Sequence, residues 1–197
     1  MGRTRLRNSL GPVIGYHGCD RAIAEEVLAN TAHLRQSNND YDWLGPGVYF
    51  WVDSPERAID WAIEQEKRKR LDDPFVVGAY LHLGLCLNLT DYGVMEEVAF
   101  AYDHLKEMAS LLKIDLPQNT GLRDGITLYR NLDCAVINTL HTYRDRKKQP
   151  SYDTVYGVFE EGEPLFDGAG FKKKTHIQVA VRNTECIIGY FRVPGFG

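Results

Sequence analysis

The stretch LGPGVYFWVDSPERAIDWA, residues 44–62, gives the clearest structural signal in the chain. Its glycines and proline predict a turn at 44–47, and the aromatic and β-branched run at 48–52 is typical of a strand. DSPE at 53–56 then combines a capping side chain, a proline at the first helical position and an acidic residue in the first turn. We therefore predict a strand followed directly by a helix over about 55–70. The side chains expected to face inward are Ala58, Ile59, Ala62 and Ile63.

Further strand-like runs stand near both ends of the chain, and helical patterns lie between them. Strands are predicted over 13–17, 75–89, 154–159, 175–182 and 186–191. Helices are predicted after the capping residue Asp20, over about 94–113, and within 128–143. Gly78 and Gly84 should bend the long run at 75–89. Strands at both ends with helices between them are typical of an α+β domain rather than a doubly wound parallel sheet.

Length and composition limit the number of domains and the class of protein. The 197 residues (22.4 kDa) fit one domain, and the net charge of −4 argues against a protein that mainly coats nucleic acid. Apolar stretches stay far below the 18 residues that a membrane span needs, and the N-terminus lacks the apolar segment of a signal peptide. The four cysteines are widely spaced without a CxxC pair, so we expect reduced thiols, no metal site and a cytoplasmic location.

Three short segments carry the chemical signal. They are Tyr16-His17-Gly18, then LGPGVYFW at 44–51, then Thr175-His176-Ile177-Gln178. Each segment alone is common, and each residue also fits an ordinary role in a core or a sheet. Their order and spacing are more informative, because about thirty residues separate the first two segments and a capped helix follows the second. The phosphate-binding patterns GxGxxG and GxxxxGK[ST] do not occur in the sequence.

This ordered set resembles the ADP-ribosyltransferases of the diphtheria-toxin and poly(ADP-ribose)-polymerase type, whose signature is a His, a Tyr and usually a Glu on three different strands. The resemblance covers roughly 13–90 and 154–193. It implies a single domain over 1–197 with a split β-sheet core, in which about 93–150 forms a helical insertion. It also implies that NAD is the substrate and that no metal is needed.

The resemblance assigns roles to four residues around NAD. His17 would hydrogen-bond a ribose hydroxyl of the adenosine half, and the backbone of Gly18 would grip the nicotinamide carboxamide. Tyr49 would stack beneath the nicotinamide ring, whose positive charge favours an aromatic face. Trp61 would close the other side of that ring from the following helix.

The sequence departs from the family at the third position, where Gln178 stands in place of the usual Glu. Glutamine can hydrogen-bond a ribose hydroxyl, but it cannot carry the negative charge that steadies a cationic transition state. The resemblance therefore implies single ADP-ribose transfer rather than chain elongation. Auxiliary groups near this position are the carboxylates of Glu160, Glu161 and Glu163 and the imidazole of His176, a candidate base toward the acceptor.

The leading hypothesis is thus a mono-ADP-ribosyltransferase that passes ADP-ribose from NAD to a macromolecule. Alternatives are an NAD glycohydrolase and a binding module that has lost the chemistry. The NAD-dependent RNA 2′-phosphotransferases share this fold but need an Arg-His-Arg-Arg set, and no arginine stands beside His17. Small members of the fold are frequently bacterial toxins or phage-defence effectors, which suggests an antitoxin or inhibitor protein as a further partner.

The acceptor is expected to meet the loop at 160–174, which precedes the third catalytic strand. This loop carries Phe166, Phe171 and then Lys172, Lys173 and Lys174. Exposed aromatics next to lysines could stack a base and neutralise phosphates. Further cations at 144–148 could extend a basic track. Nucleic acid, preferably single-stranded RNA, is therefore placed slightly ahead of protein as the acceptor.

Overall fold

The computed structural model describes residues 11–123 and 126–196, and its main feature is a seven-stranded mixed sheet. The strands are β1 (Val13–Asp20), β2 (Val48–Val52), β3 (Pro74–Leu81), β4 (Cys86–Asn88), β5 (Asn119–Arg123), β6 (Ile126–Arg130), β7 (Thr154–Phe159), β8 (His176–Val181) and β9 (Ile187–Arg192). The α-helices of the described residues are α1 (Arg21–Leu28), α2 (Pro55–Lys67), α3 (Tyr92–Leu112) and α4 (Asn131–Arg146). This combination agrees with the predicted α+β class.

The strand order in the large sheet is β4-β7-β8-β2-β1-β3-β9, with β4 parallel to β7 and all other neighbours antiparallel. β1 pairs with β3 along its whole length. Its register with β2 consists of Gly15↔Val52 and Tyr16↔Trp51. The two halves of the sheet therefore meet through a short contact between β1 and β2, and these strands part beyond it.

Side-chain alternation gives the sheet two covered faces. The face that we call the α2 face carries Tyr16, Trp51 and Gln178, which lie in register across β1, β2 and β8. Its apolar residues pack against α2 on one side and against α3 and α4 on the other. The opposite face, with Phe50 and Val77, packs against α1.

The start of α1 was predicted correctly, and the start of α2 was predicted for partly the wrong reason. The Asp20 carboxylate accepts a hydrogen bond from the N–H of Ala22 at 3.2 Å and also one from Asp72 at 2.8 Å. α2 begins at Pro55, but Ser54 makes no side-chain capping bond. The proline, with its fixed φ, therefore marks this helix start without a side-chain cap.

The inward face of α2 is narrower than predicted. Ala58 and Ala62 are fully buried, whereas Ile59 and Ile63 are only half-buried and Gln65 is buried instead. The helix also ends at 67 rather than near 70. Small residues at the contact let the helix axis approach the sheet closely, which leaves the larger isoleucines at the margins.

The predicted long strand at 75–89 is two strands, β3 and β4, in different parts of the sheet. Gly84 separates them with a φ of +58°, and a Cβ at this position would lie 2.4 Å from a carboxylate oxygen of Asp153. The same carboxylate accepts a hydrogen bond from the N–H of Leu85 at 2.7 Å. Gly78, by contrast, lies within β3, where the ring of Phe191 fills the space over it.

The segment predicted as a helical insertion contains α3 and α4 but also the antiparallel pair β5–β6, which forms a separate small sheet. Its strands flank the dipeptide Asp-Gly at 124–125, a sequence typical of two-residue hairpin turns. That signal could have identified the hairpin. The short strands NTGLR and ITLYR lack the regular alternation on which the other predictions rested.

All four cysteines are free thiols, and three of them are buried, as predicted. No helix among the described residues is long and apolar enough to cross a membrane.

Candidate active site

The strands that carry His17, Tyr49 and Gln178 are neighbours in the sheet, in the order β1, β2, β8. The side chains do not all share one face. Tyr49 and Gln178 lie on the α2 face, whereas His17 lies on the opposite face, where its ring centroid is 5.7 Å from that of Phe50. The structure therefore brings Tyr49 and Gln178 to one face of the sheet and places the His17 ring on the other.

Beyond the last β1–β2 pair, the His17 ring takes the place of strand pairing. Its Nδ1 lies 2.7 Å from the carbonyl oxygen of Tyr49. The carbonyl oxygen of Ile14 accepts a hydrogen bond from the N–H of Asp53, so the backbone polar groups of Ile14 face β2. Because these groups alternate between the two neighbouring strands from one residue to the next, the N–H and C=O of Gly18 also face β2. We call this opening between β1 and β2 the junction gap. It is bordered by the His17 ring and by the backbone of Gly18.

The hydrogen bond fixes the tautomer of His17. A carbonyl oxygen can only accept, so the proton of the neutral ring is on Nδ1 and the lone pair is on Nε2. Burial lowers the pKa of His17 from its ordinary value, which keeps the ring neutral at pH 7. Nε2 is therefore suited to accept a hydrogen bond from a hydroxyl group.

The Tyr49 hydroxyl is engaged by its own turn. It donates to the carbonyl oxygen of Gly45 at 2.7 Å and accepts from the N–H of Leu44 at 2.9 Å. Burial raises the pKa of Tyr49, so the phenol stays protonated. These bonds occupy the hydroxyl and hold the Tyr49 ring rigidly against the core cluster of Leu44 and Ala180.

Gly18 is the contact point between β1 and α2. A Cβ at this position would lie 2.4 Å from the carbonyl oxygen of Ala58 and 3.2 Å from the Cβ of Ala62. Helix packing therefore requires glycine here, in addition to any need for close ligand approach. The close contact brings Trp61 of α2 to Trp51 of β2, with ring centroids 5.9 Å apart.

Gln178 lies between Trp51 on β2 and Gly157 on β7 in the sheet register. It is half-buried, and its side-chain amide makes no hydrogen bond to the described residues. The neighbouring glycine contributes no side chain beside it. This amide is therefore free to contact a ligand on the α2 face.

His176 stands two residues before Gln178 on the same face, at the centre of a charged cluster. Its Nδ1 lies 2.7 Å from the carbonyl oxygen of Lys174 and 3.6 Å from the carboxylate of Glu161. Glu161 in turn accepts a hydrogen bond from Arg57 of α2 at 2.6 Å, and both side chains are mostly buried. Of the three loop carboxylates considered, Glu161 is the one that the structure brings to β8.

An aromatic and cationic wall continues from this cluster. The ring of His176 lies 5.8 Å from that of Phe159, which lies 4.8 Å from that of Trp43. The guanidinium of Arg130 stacks over both, at 4.3 Å from the Trp43 ring and 5.0 Å from the Phe159 ring. Phe159 and His176 are buried, so these contacts pack the interior beside the cluster, and the partly exposed guanidinium of Arg130 is the phosphate-binding type of group at its edge.

Several buried nitrogen atoms of this region have no hydrogen-bond partner among the described residues. They are Trp51 Nε1, Arg57 Nε, Arg130 Nε and His176 Nε2. An unpaired buried polar atom costs about 1–3 kcal/mol, so a native protein tolerates a group of them mainly where water or a ligand completes the bonds.

The loop at 160–174 continues the β7–β8 hairpin outward. Backbone hydrogen bonds join its two sides. The N–H of Lys174 donates to the carbonyl oxygen of Glu161, that of Lys173 to Glu163, and that of Leu165 to Phe171. The predicted aromatic side chains are exposed at its tip, with Phe166 60% and Phe171 71% accessible. The side chains of Glu160 and Glu163 point to solvent and lie outside the cluster.

The predicted cations differ in their freedom to bind an acceptor. Lys174 forms an ion pair with Glu64 of α2 at 3.1 Å, whereas Lys172 and Lys173 form none with the described residues. Arg144 is held by Glu97 and by the carbonyl oxygen of Pro150. It therefore takes no part in a basic track. The cations at 146–148 are exposed.

Within the described residues, no three His, Cys, Asp or Glu side chains are grouped so that they could hold a metal ion. A recess of about 230 Å³ lies between α3 and α4, lined by His104, Met108 and Tyr143 among others. None of the predicted site residues lines it.

Comparison with known proteins adds one distant relative. The chain is 25% identical over 191 residues to the uncharacterized protein MJ0359 of Methanocaldococcus jannaschii, covering 87% of this chain and 83% of that protein. No family model and no solved structure matches the chain.

Sequence reasoning did not identify Arg57 and Arg130 as members of the site, whereas Trp51 lies in the LGPGVYFW segment that it did identify. Arg57 stands four residues before Trp61 on α2, and this spacing places both on one side of a helix. That signal was available in the sequence. The stacking of Arg130 on Trp43 had no local signal, because it joins residues 87 positions apart.

Proposed function

We propose that this protein is a mono-ADP-ribosyltransferase with an ADP-ribosyltransferase-like split-sheet core. It would cleave NAD at the nicotinamide–ribose bond and transfer ADP-ribose to a macromolecular acceptor, preferably single-stranded RNA. The observation that supports the proposal is that the strands carrying His17, Tyr49 and Gln178 are neighbours in the sheet, in the order β1, β2, β8.

The geometry of the junction gap supports NAD as the ligand. The lone pair on His17 Nε2 is available for a ribose hydroxyl, and Gly18 directs an N–H and a C=O toward the gap. An amide such as the nicotinamide carboxamide offers the complementary donor and acceptor. The aromatic groups proposed to contact the pyridinium are Tyr49, which packs on the α3 and α4 side of the α2 face, and Trp61, which packs on the α2 side.

The chemistry requires little more than positioning. Cleavage of the nicotinamide–ribose bond leaves a cationic sugar, so catalysis depends on oriented dipoles and charges around it. The amide of Gln178 supplies a dipole, and Glu161 is the nearby carboxylate that supplies negative charge. For the acceptor, the loop tip supplies exposed aromatics beside Lys172 and Lys173.

The test uses adenine-labelled NAD and a cell lysate. The wild-type protein should release nicotinamide and leave label on macromolecules, and nuclease rather than protease should remove that label. Either His17→Ala or Tyr49→Ala should lower NAD affinity and turnover by about tenfold or more, since each removes a positioned contact. The proposal is wrong if both variants bind and consume NAD as the wild type does.

A binding module without turnover is the second candidate. It is favoured by the absence of a carboxylate at position 178, where the resemblance would place one. Calorimetry with NAD distinguishes the two candidates, because a module binds the dinucleotide and leaves it intact. Label that remains as free ADP-ribose would instead indicate an NAD glycohydrolase.

A further inference from the structure

We propose that Nε2 of His176 takes the proton from a hydroxyl group of the acceptor during transfer. This inference rests on the proposed function and adds to it the chemical class of the acceptor, a hydroxyl, and the base that activates it. His176 begins β8 on the α2 face, two residues from Gln178, so it adjoins the position where the sugar cation would form.

The hydrogen bonds of His176 leave the base on the required atom. Nδ1 lies 2.7 Å from the carbonyl oxygen of Lys174, which can only accept, so Nδ1 carries the proton of the neutral ring. The lone pair is then on Nε2. This atom is buried and has no partner among the described residues.

A hydroxyl group has both the acceptor and the donor that two unpaired atoms of this cluster require. The indole N–H of Trp51 is also buried without a partner, and its ring centroid is 6.4 Å from that of His176. Trp51 Nε1 is a donor and His176 Nε2 is an acceptor. A hydroxyl accepts from the first and donates to the second, whereas a carboxylate could satisfy only the donor.

The charged groups around His176 stabilise the ring after it gains the proton. Glu161 lies 3.6 Å from Nδ1 and is held there by Arg57. Burial lowers the pKa of His176 and Arg57 acts in the same direction, while the Lys174 carbonyl and Glu161 act against them. The ring is therefore neutral before the reaction, and a carboxylate stands beside it when it becomes positive.

The step balances without another reactant. The acceptor oxygen bonds to the anomeric carbon of the ribose while the bond from that carbon to the nicotinamide nitrogen breaks. The electron pair of that bond leaves with nicotinamide, which becomes neutral. The hydroxyl proton moves to Nε2, and the imidazolium later gives it to water.

Access to Nε2 requires the loop to move, because the His176 side chain is only 1% exposed. Ion pairs join the loop ends to α2 at Arg57–Glu161 and at Lys174–Glu64. The second pair is about 40% exposed and so contributes at most about 1 kcal/mol. The Lys174 side chain is therefore only weakly opposed in moving away from α2, while the Lys174 carbonyl stays bonded to Nδ1.

The experiment measures two quantities on each full-length variant: nicotinamide release from NAD, and incorporation of adenine label into acid-insoluble lysate material. Incorporation by His176→Gln should fall about a hundredfold or more, the usual contribution of a general base, with NAD affinity retained. The exposed His82 serves as a matched control, so His82→Gln should behave as the wild type does. Incorporation by His176→Gln within threefold of the wild type would overturn the inference.

The pH profile gives a second test. A neutral base is needed, so wild-type incorporation should fall as the pH drops below the ordinary histidine value of about 6.5. Glu161 raises the pKa of His176, so Glu161→Gln should move this fall to lower pH. An unmoved profile would show that another group titrates. A wild-type protein that never consumes NAD would instead refute the proposed function itself.

Discussion

At the residue scale, substitutions of Gln178 test the proposed NAD cleavage most directly. Its amide is half-buried beside Trp51 and makes no bond to the described residues, so it is available to a ribose hydroxyl. Gln178→Ala should lower NAD cleavage by roughly tenfold to a thousandfold, the loss expected for one positioned polar contact to a transition state. Gln178→Glu should retain or raise cleavage, because it adds the charge that favours a sugar cation.

Initial rates of nicotinamide release at saturating NAD measure both effects. A fully active Gln178→Ala together with an inactive Gln178→Glu would show that another residue holds the third position. Because His176 lies on the same face two residues earlier, it is the first residue to examine in that case.

The placement of single residues was predictable only where it follows from strand alternation. Gln178 and His176 lie on one face because they are two positions apart on β8. The bond from His17 to the Tyr49 carbonyl could not be predicted, since it depends on β1 and β2 separating after Tyr16. That separation is a property of the assembled sheet.

At the scale of elements, Gly18 sets the distance between β1 and α2. The Cβ of Gly18→Ala would meet the carbonyl oxygen of Ala58 at 2.4 Å, and a helix backbone cannot turn aside as a side chain can. We expect a loss of about 1–3 kcal/mol in the free energy of unfolding, the usual cost of overpacking. Urea denaturation followed by circular dichroism measures it.

Gly170 provides the matched control for that substitution. It lies in the loop at 160–174, and a Cβ there would meet nothing within 4 Å. Gly170→Ala should therefore change stability by less than about 0.5 kcal/mol. Equal stability of the two variants would mean that α2 does not rest on Gly18 as described.

The elements themselves were predictable where start signals are strong. Pro55 marked the start of α2, and the Asp20 cap marked that of α1. The strand order β4-β7-β8-β2-β1-β3-β9 was not predictable from the sequence. It depends on pairing between strands that are far apart in the chain, and the local pattern of apolar residues does not indicate which strands pair. The same limit explains why the pattern at 75–89 predicts one strand where the structure has two.

At the scale of the whole molecule, the net charge of −4 opposes RNA binding in general, so binding must rest on a local group of cations. Lys172 and Lys173 are suited to this, since neither is held in an ion pair by the described residues. They directly follow the exposed Phe171 of the loop. The double variant Lys172→Glu with Lys173→Glu should therefore weaken binding of a fluorescent single-stranded RNA oligonucleotide.

The salt dependence of that binding separates local contacts from overall charge. Each phosphate contact to a single strand contributes about 0.7 to the slope of log affinity against log salt, so losing two should lower the slope by about 1.4. Lys106→Glu with Lys113→Glu, at exposed positions of α3 and its C-cap, is the control. Each replacement changes the charge by −2, so both double variants change the net charge from −4 to −8. An equal slope in the two variants, or label that protease removes and nuclease does not, would exclude RNA as the acceptor at this loop.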